Sequence, residues 1–98
     1  MRALRITAPA CQDLEEISEY FLQSSVDAGD RFVQTFTQKC QHLAQFPYVG
    51  KSYAQLRPGL RGLLLMGYIV FYQVVEDDIE ILRVVSGYCN LQQIFQND

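Results

Sequence analysis

The chain opens on a short alternation. Leu4, Arg5, Ile6 and Thr7 run apolar, polar, apolar, polar, which predicts a strand. The period then changes. Leu14, Ile17 and Phe21 recur at helical spacing, with Asp13, Glu15, Glu16 and Glu19 mostly off that stripe. The pattern predicts an amphipathic helix over Pro9 to Gln23. Thr7 can cap it, and Pro9 is tolerated in a first turn whose N–H groups have no helical acceptor. Ser24-Ser25 breaks the stripe, and Ser25 or Asp27 can cap a second helix. Its apolar face is Phe32, Val33, Phe36, Cys40, Leu43 and Phe46. Gly29 weakens its first turn, and Pro47 ends it, because the residue before a proline avoids helical geometry. So short a link predicts an antiparallel helical hairpin.

Pro47 to Gly59 holds two prolines and two glycines and reads as a loop. Strands are predicted over Leu60 to Met66, Tyr68 to Val75 and Ile79 to Ser86, with turns at Gly67 and Glu76-Asp77-Asp78. Gly87 ends the last strand, and Leu91 to Phe95 reads as a short helical turn. The order is β-α-α-β-β-β plus a short C-terminal helix. It is an α+β chain in which the helical hairpin covers one face of a small antiparallel sheet.

That layout leaves a problem, because both faces of the last hairpin are apolar. If Asp77-Asp78 is a two-residue turn, Tyr72 lies opposite Arg83. One face then carries Val70, Tyr72, Val74, Ile81, Arg83 and Val85, and the other Ile69, Phe71, Val75, Leu82 and Val84. A one-residue slip would redistribute them. A two-helix layer covers only one face, so the second should present an apolar surface with an arginine in it, as partner-binding surfaces do. The C-terminal segment folding back, or self-association, is the other way to cover it. The binding candidates are Arg61, Val70, Tyr72, Val74, Ile81 and Arg83, with Tyr88, Leu91, Ile94 and Phe95 of the tail.

Composition narrows the function classes. The 98 residues suffice for one domain, residues 1–98, with one core. The longest apolar run, Leu63 to Phe71, is far short of the roughly 20 residues a membrane span needs. Thr7 arrives before any signal-like apolar stretch, so a soluble cytoplasmic protein is expected. Cys11, Cys40 and Cys89 are an odd, widely spaced set and are read as free thiols. With His42 the only histidine, neither a metal nor a cofactor is expected. The net charge of −3 counts against a broad nucleic-acid surface and against direct sequence-specific nucleic-acid binding. The charge is uneven, however. Lys51 to Val75 carries Lys51, Arg57 and Arg61 and no acid, while Asp13 to Glu19 carries four acids and no base.

An ordered set of fragments resembles the RelE/ParE toxin superfamily. It comprises Thr7-Ala8-Pro9-Ala10, Asp13-Leu14, Ile17, Ala28, Phe32, Leu43, Phe46-Pro47 and Gly50. It continues through Gly59-Leu60-Arg61, Tyr68-Ile69-Val70-Phe71-Tyr72, Ile81-Leu82-Arg83-Val84-Val85 and Gly87. The resemblance implies a type II toxin silenced by a cognate ParD-like antitoxin, whose tail wraps the toxin in a hetero-oligomer. Two activities follow from it. ParE-like members poison DNA gyrase as protein inhibitors, and RelE-like members cut messenger RNA at the ribosome.

RNA cleavage needs a base, an acid and cations for the phosphate. This chain is poor in them: a nuclease reading would rest on Arg61, Arg83 and Tyr88, and no Lys or Arg follows Tyr88. The ending Ser86-Gly87-Tyr88-Cys89-Asn90-Leu91 is similar to the ParE-like ending, which carries arginine and aspartate at the positions of Cys89 and Asn90. A gyrase-directed inhibitor is the expected function. An endoribonuclease and a degenerate toxin that retains only antitoxin binding are the alternatives.

Overall fold

The computed structural model describes residues 3–95. Strand β1 (Leu4–Ile6) leads directly into helix α1 (Ala8–Ser24). Thr7 caps α1, its side chain accepting from the Ala10 N–H at 3.4 Å. Ser25 then serves both helices. Its N–H donates to the Phe21 carbonyl and closes α1, while its Oγ accepts from the Ala28 N–H and opens α2 (Val26–Gln45). One extended residue therefore reverses the chain. Gly29 is required for the close approach that follows. A Cβ at this position would lie 2.6 Å from the Leu22 side chain across the hairpin. The stacked rings of Phe21 and Phe32, with centroids 5.3 Å apart, fasten the two helices together.

The remaining strands are β2 (Lys51–Ser52), β3 (Arg61–Leu65), β4 (Tyr68–Val75) and β5 (Asp78–Ser86), followed by helix α3 (Leu91–Phe95). The five strands form one sheet in the order β1-β5-β4-β3-β2. The α+β layout is as expected, but two details of the sheet differ. It is mixed, because β1 joins β5 in parallel, a pairing that the intervening helical hairpin permits. The loop after Pro47 also contains β2, too short to leave a periodic signal, paired antiparallel with β3.

The β4–β5 register corrects the expected one. The turn residues are Glu76 and Asp77, both with positive φ, and Val75 pairs with Asp78. Tyr72 faces Ile81, and Phe71 faces Arg83, so Leu82 is an extra residue at a β-bulge. The bulge exchanges faces beyond it. Val84, opposite Val70, joins the helix side, and Val85, opposite Ile69, joins the other.

Two clusters result, one on each face. Leu65, Val70, Tyr72, Ile79, Ile81 and Val84 pack against Ala10, Ile17, Phe32 and Leu43 of the helices. Leu60, Ile69, Phe71, Val85 and Phe95 form the second cluster, flanked by Tyr53, Leu56, Leu82, Leu91 and Ile94. The chain therefore covers its own second face with the 53–60 loop and α3. Val70, Tyr72 and Ile81, expected on an open surface, are 1%, 0% and 0% exposed. They are core residues because the hairpin lies over them. Val74 is half-buried against the same cluster.

Cys40 is half-buried on α2, and burial pushes its thiol up to about 11 from an ordinary 9.0. Cys11 and Cys89 are exposed. Native labelling with a thiol reagent should proceed at Cys11 and Cys89 well before Cys40, and equal rates at all three would contradict the packing of α2. The raised value also sets a direction with pH. Between about 9 and 11 the unfolded chain ionises this thiol while the folded chain keeps it protonated, so stability falls as pH rises through that window. Urea unfolding of Cys40→Ala, measured across the same window, should show a shallower alkaline loss than the parent.

Candidate functional site

The polar side chains nominated from the sequence fall into two separate nodes. The first is at the end of β3. Arg61 pairs across the strands with Tyr72. Its Nη1 donates to the carbonyls of Tyr48 at 3.2 Å and Gly50 at 2.8 Å. The guanidinium also lies 5.2 Å from the Tyr48 ring centroid. The Tyr72 hydroxyl accepts from the Gly50 N–H at 2.9 Å. Burial holds that phenol above its ordinary range, and the Gly50 contact and the Arg61 charge pull it the other way. Gly50 must be glycine for this to form, since a Cβ would lie 2.6 Å from the Tyr72 hydroxyl and 3.0 Å from the Gly62 carbonyl. Arg61 and Tyr72 thus tie the loop after α2 onto the sheet.

The second node is where α1 crosses β5. Strand β1 pairs with β5 only through Ile81. Beyond it, α1 takes over the exposed edge. The Thr7 hydroxyl donates to the Leu82 carbonyl at 3.1 Å, and Asp13 accepts from the Val84 N–H at 2.9 Å. Arg83 completes the clamp with a fork onto the same carboxylate, Nε to Oδ2 at 2.7 Å and Nη2 to Oδ1 at 3.0 Å. That bidentate geometry gives the strong form of the pair. The hydrogen bond to Asp13 raises the Arg83 pKa above its already high ordinary value, against a smaller opposing effect of burial.

Asp13 was not singled out from the sequence. It reads there as one of four acids on a solvated helix face, and its partner is 70 residues away. Its place in the fragment Asp13-Leu14 was the only hint.

Neither arginine is loose, and the nominated residues do not converge. Arg61 is held by the loop beside β2, Arg83 by α1, and Tyr88 stands 97% exposed beyond β5. Leu91, Ile94 and Phe95 cover the second face of the sheet. Two clefts flank Arg83. One, of about 280 Å³, is lined by Thr7, Pro9, Arg57, Leu82, Ile94 and Phe95 as well as Arg83. The other brings Cys89 beside Asp13, Glu16 and Arg83. The Asn90 Oδ1 accepts from the Gln92 N–H at 3.2 Å, at the start of α3. His42 lies apart, on the exposed face of α2, against Phe46.

A family model described as the ParE toxin of type II toxin–antitoxin system, parDE, matches residues 4–88. The chain belongs to the ParE toxin family. A curated relative, Toxin ParE3 of Caulobacter vibrioides, is 28% identical over 86 residues, covering 87% of this chain and 86% of its own. A solved structure entitled "Chromosomal ParDE TA system from P. aeruginosa" superposes with a TM-score of 0.73 at 25% identity, covering 88% of this chain and 96% of that one. The family match ends at Tyr88, so α3 lies outside it. Both nodes lie within it. Among the described residues, no helix of this ParE-family chain is long and apolar enough to cross a membrane.

The two nodes make distinct predictions. Tyr72→Phe strands the Gly50 N–H in a buried site and should cost roughly 1–3 kcal/mol by urea unfolding. Asp13→Ala removes the partner of both Arg83 and the Val84 N–H and should cost at least as much, about 2–4 kcal/mol. An unchanged unfolding midpoint in either variant would show that the corresponding node is not structural. Tyr72→Asp would unfold the chain outright, so it cannot serve as a probe of partner binding.

Proposed function

We propose that residues 1–98 act as a single toxin domain, silenced by a cognate ParD-like antitoxin in a hetero-oligomer, and that the toxin acts by inhibiting DNA gyrase rather than by cleaving RNA. The ParDE origin of the structural relative motivates the antitoxin. One observation carries the mechanism: the cations a nuclease would need are already engaged within the fold. Arg83 is forked onto Asp13, and Arg61 is spent on the Tyr48 and Gly50 carbonyls. A general base for a ribose hydroxyl must stand within hydrogen-bond reach of it, and His42 is on another element from both arginines. A protein inhibitor needs neither acid nor base. It needs a rigid surface, and the two nodes supply rigidity.

A specific observation favours the nuclease alternative. Arg57 and Arg83 line one cleft, where a phosphate would meet positive charge. That cleft has no His, Asp or Glu in its lining, so it offers binding without proton transfer.

The deciding experiment uses purified toxin freed of antitoxin. Supercoiling by gyrase and message cleavage in a ribosome-containing translation mixture are measured side by side. Inhibited supercoiling with intact message is the expected result. Cleavage that disappears in Arg83→Ala, with gyrase unaffected, would replace this reading with the nuclease. Silence in both assays would indicate a decayed toxin, in which case the double substitution Cys89→Arg with Asn90→Asp should restore inhibition. The structure accommodates both changes. An arginine at 89 would enter the cleft that holds Asp13 and Glu16, and an aspartate at 90 keeps the oxygen that accepts from Gln92. Calorimetric titration with the protein encoded beside this chain tests the antitoxin, and absence of binding at micromolar concentration would remove that partner.

A further inference from the structure

The charges along this chain are segregated. No Asp or Glu occurs between Asp30 and Glu76, a stretch that contains Arg31, Lys39, His42, Lys51, Arg57 and Arg61. This stretch folds into most of α2, the following loop, β2, β3 and all of β4. At the C-terminal end of α2 it forms an open bowl of about 550 Å³ lined by His42, Gln45, Phe46, Pro47, Tyr48 and Val49.

The lining of the bowl is largely apolar, and most of it remains in water. Phe46, Tyr48 and Val49 are 54%, 64% and 46% exposed. The chain covers the apolar second face of its sheet with its own loop and α3, so this uncovered cluster stands out. The cluster is also stiff. His42 packs on Phe46 with ring centroids 5.2 Å apart, and Arg61 fixes Tyr48 by stacking on its ring and binding its carbonyl.

Cations lie close to it in the chain or in contact with its lining. Lys39 lies one turn before His42 on the face of α2 that carries Phe46. Lys51 follows Val49 by two residues and lies 5.5 Å from the Tyr53 ring centroid. Arg61 closes the remaining side over Tyr48. Among the described residues, Lys39, Lys51 and Arg61 form no ion pair with a carboxylate, whereas Arg5 and Arg83 both do.

We propose that this bowl docks an acidic peptide segment of a protein partner, with one large apolar side chain seated between Phe46, Tyr48 and Val49 and its flanking carboxylates facing Lys39 and Lys51. Charge complementarity selects this occupant. A nucleic acid would need cations spaced along a backbone track, and it would approach a chain of net charge −3. Here the lysines lie near one open apolar bowl rather than along a track. The inference does not depend on which macromolecule the toxin poisons.

The test is a titration of isotope-labelled chain followed by amide NMR. The probe is a short synthetic peptide with one Phe flanked by Asp and Glu residues. Its Lys-flanked counterpart and a short single-stranded DNA are the comparison ligands. The acidic peptide should shift the amides from His42 to Ser52, excepting Pro47, and bind more weakly as salt is raised. The Lys-flanked peptide should bind at least about tenfold more weakly. Val49→Asp, and separately Lys39→Glu with Lys51→Glu, should each weaken the acidic peptide by about tenfold or more while leaving the unfolding midpoint nearly unchanged, since Val49 and Lys51 are exposed and Lys39 is only half-buried. Equal binding of the two peptides would overturn the proposal, as would shifts confined to other elements. Tighter binding of the DNA at these amides would make the bowl a nucleic-acid surface instead. Concentration-dependent shifts of the same amides without peptide would make it a contact between copies of this chain.

Discussion

The structure depends on β4 being apolar on both faces. Val70 and Tyr72 point one way and Ile69 and Phe71 the other, and all four are buried. A central strand of this kind cannot lie at a water surface, because each large side chain left exposed forfeits about 1.5–3 kcal/mol. Every other element answers to that requirement. The α1–α2 hairpin covers the first face. The 53–60 loop and α3 cover the second. The bulge at Leu82 adjusts β5 so that Val84 and Val85 serve opposite sides.

Long-range polar contacts then fasten the covers to the sheet. Asp13 binds β5 through both the Val84 N–H and the Arg83 guanidinium, and the Tyr72 hydroxyl and Arg61 secure the loop that carries Gly50. Arg61, Tyr72 and Arg83, which the sequence offered as candidates for function, are used in these contacts. An arginine whose fork is filled by an internal carboxylate serves as a brace, and a tyrosine buried against a backbone N–H serves as a peg. Two lysines with no carboxylate partner among the described residues, Lys39 and Lys51, lie near the apolar bowl at the end of α2. A toxin of the ParE family built this way presents a rigid scaffold with charge sorted by region: acids cluster on α1 and around the β4–β5 turn, and bases on the stretch between. Such sorting suits recognition by complementary surfaces, where charge sets partner choice and encounter rate.

Much was legible from the sequence alone. The helix stripes, the caps at Thr7 and Ser25, the stop at Pro47, and the strands over Leu60 to Met66, Tyr68 to Val75 and Ile79 to Ser86 all depend on residues within a few positions of one another. Local propensity and solvation act at that range. The α+β order and the family resemblance followed from the same local fragments taken in sequence. Tertiary structure decided the rest. Which face of β4 meets the helices, where the bulge falls, which carboxylate Arg83 finds and what covers Phe71 all depend on contacts between residues far apart in the chain. A period-two strand with two apolar faces is compatible with either orientation and with more than one register. Only the competition among all the packed elements selects one. For that reason Tyr72, which the alternation placed on an open surface, is instead at the centre of the core.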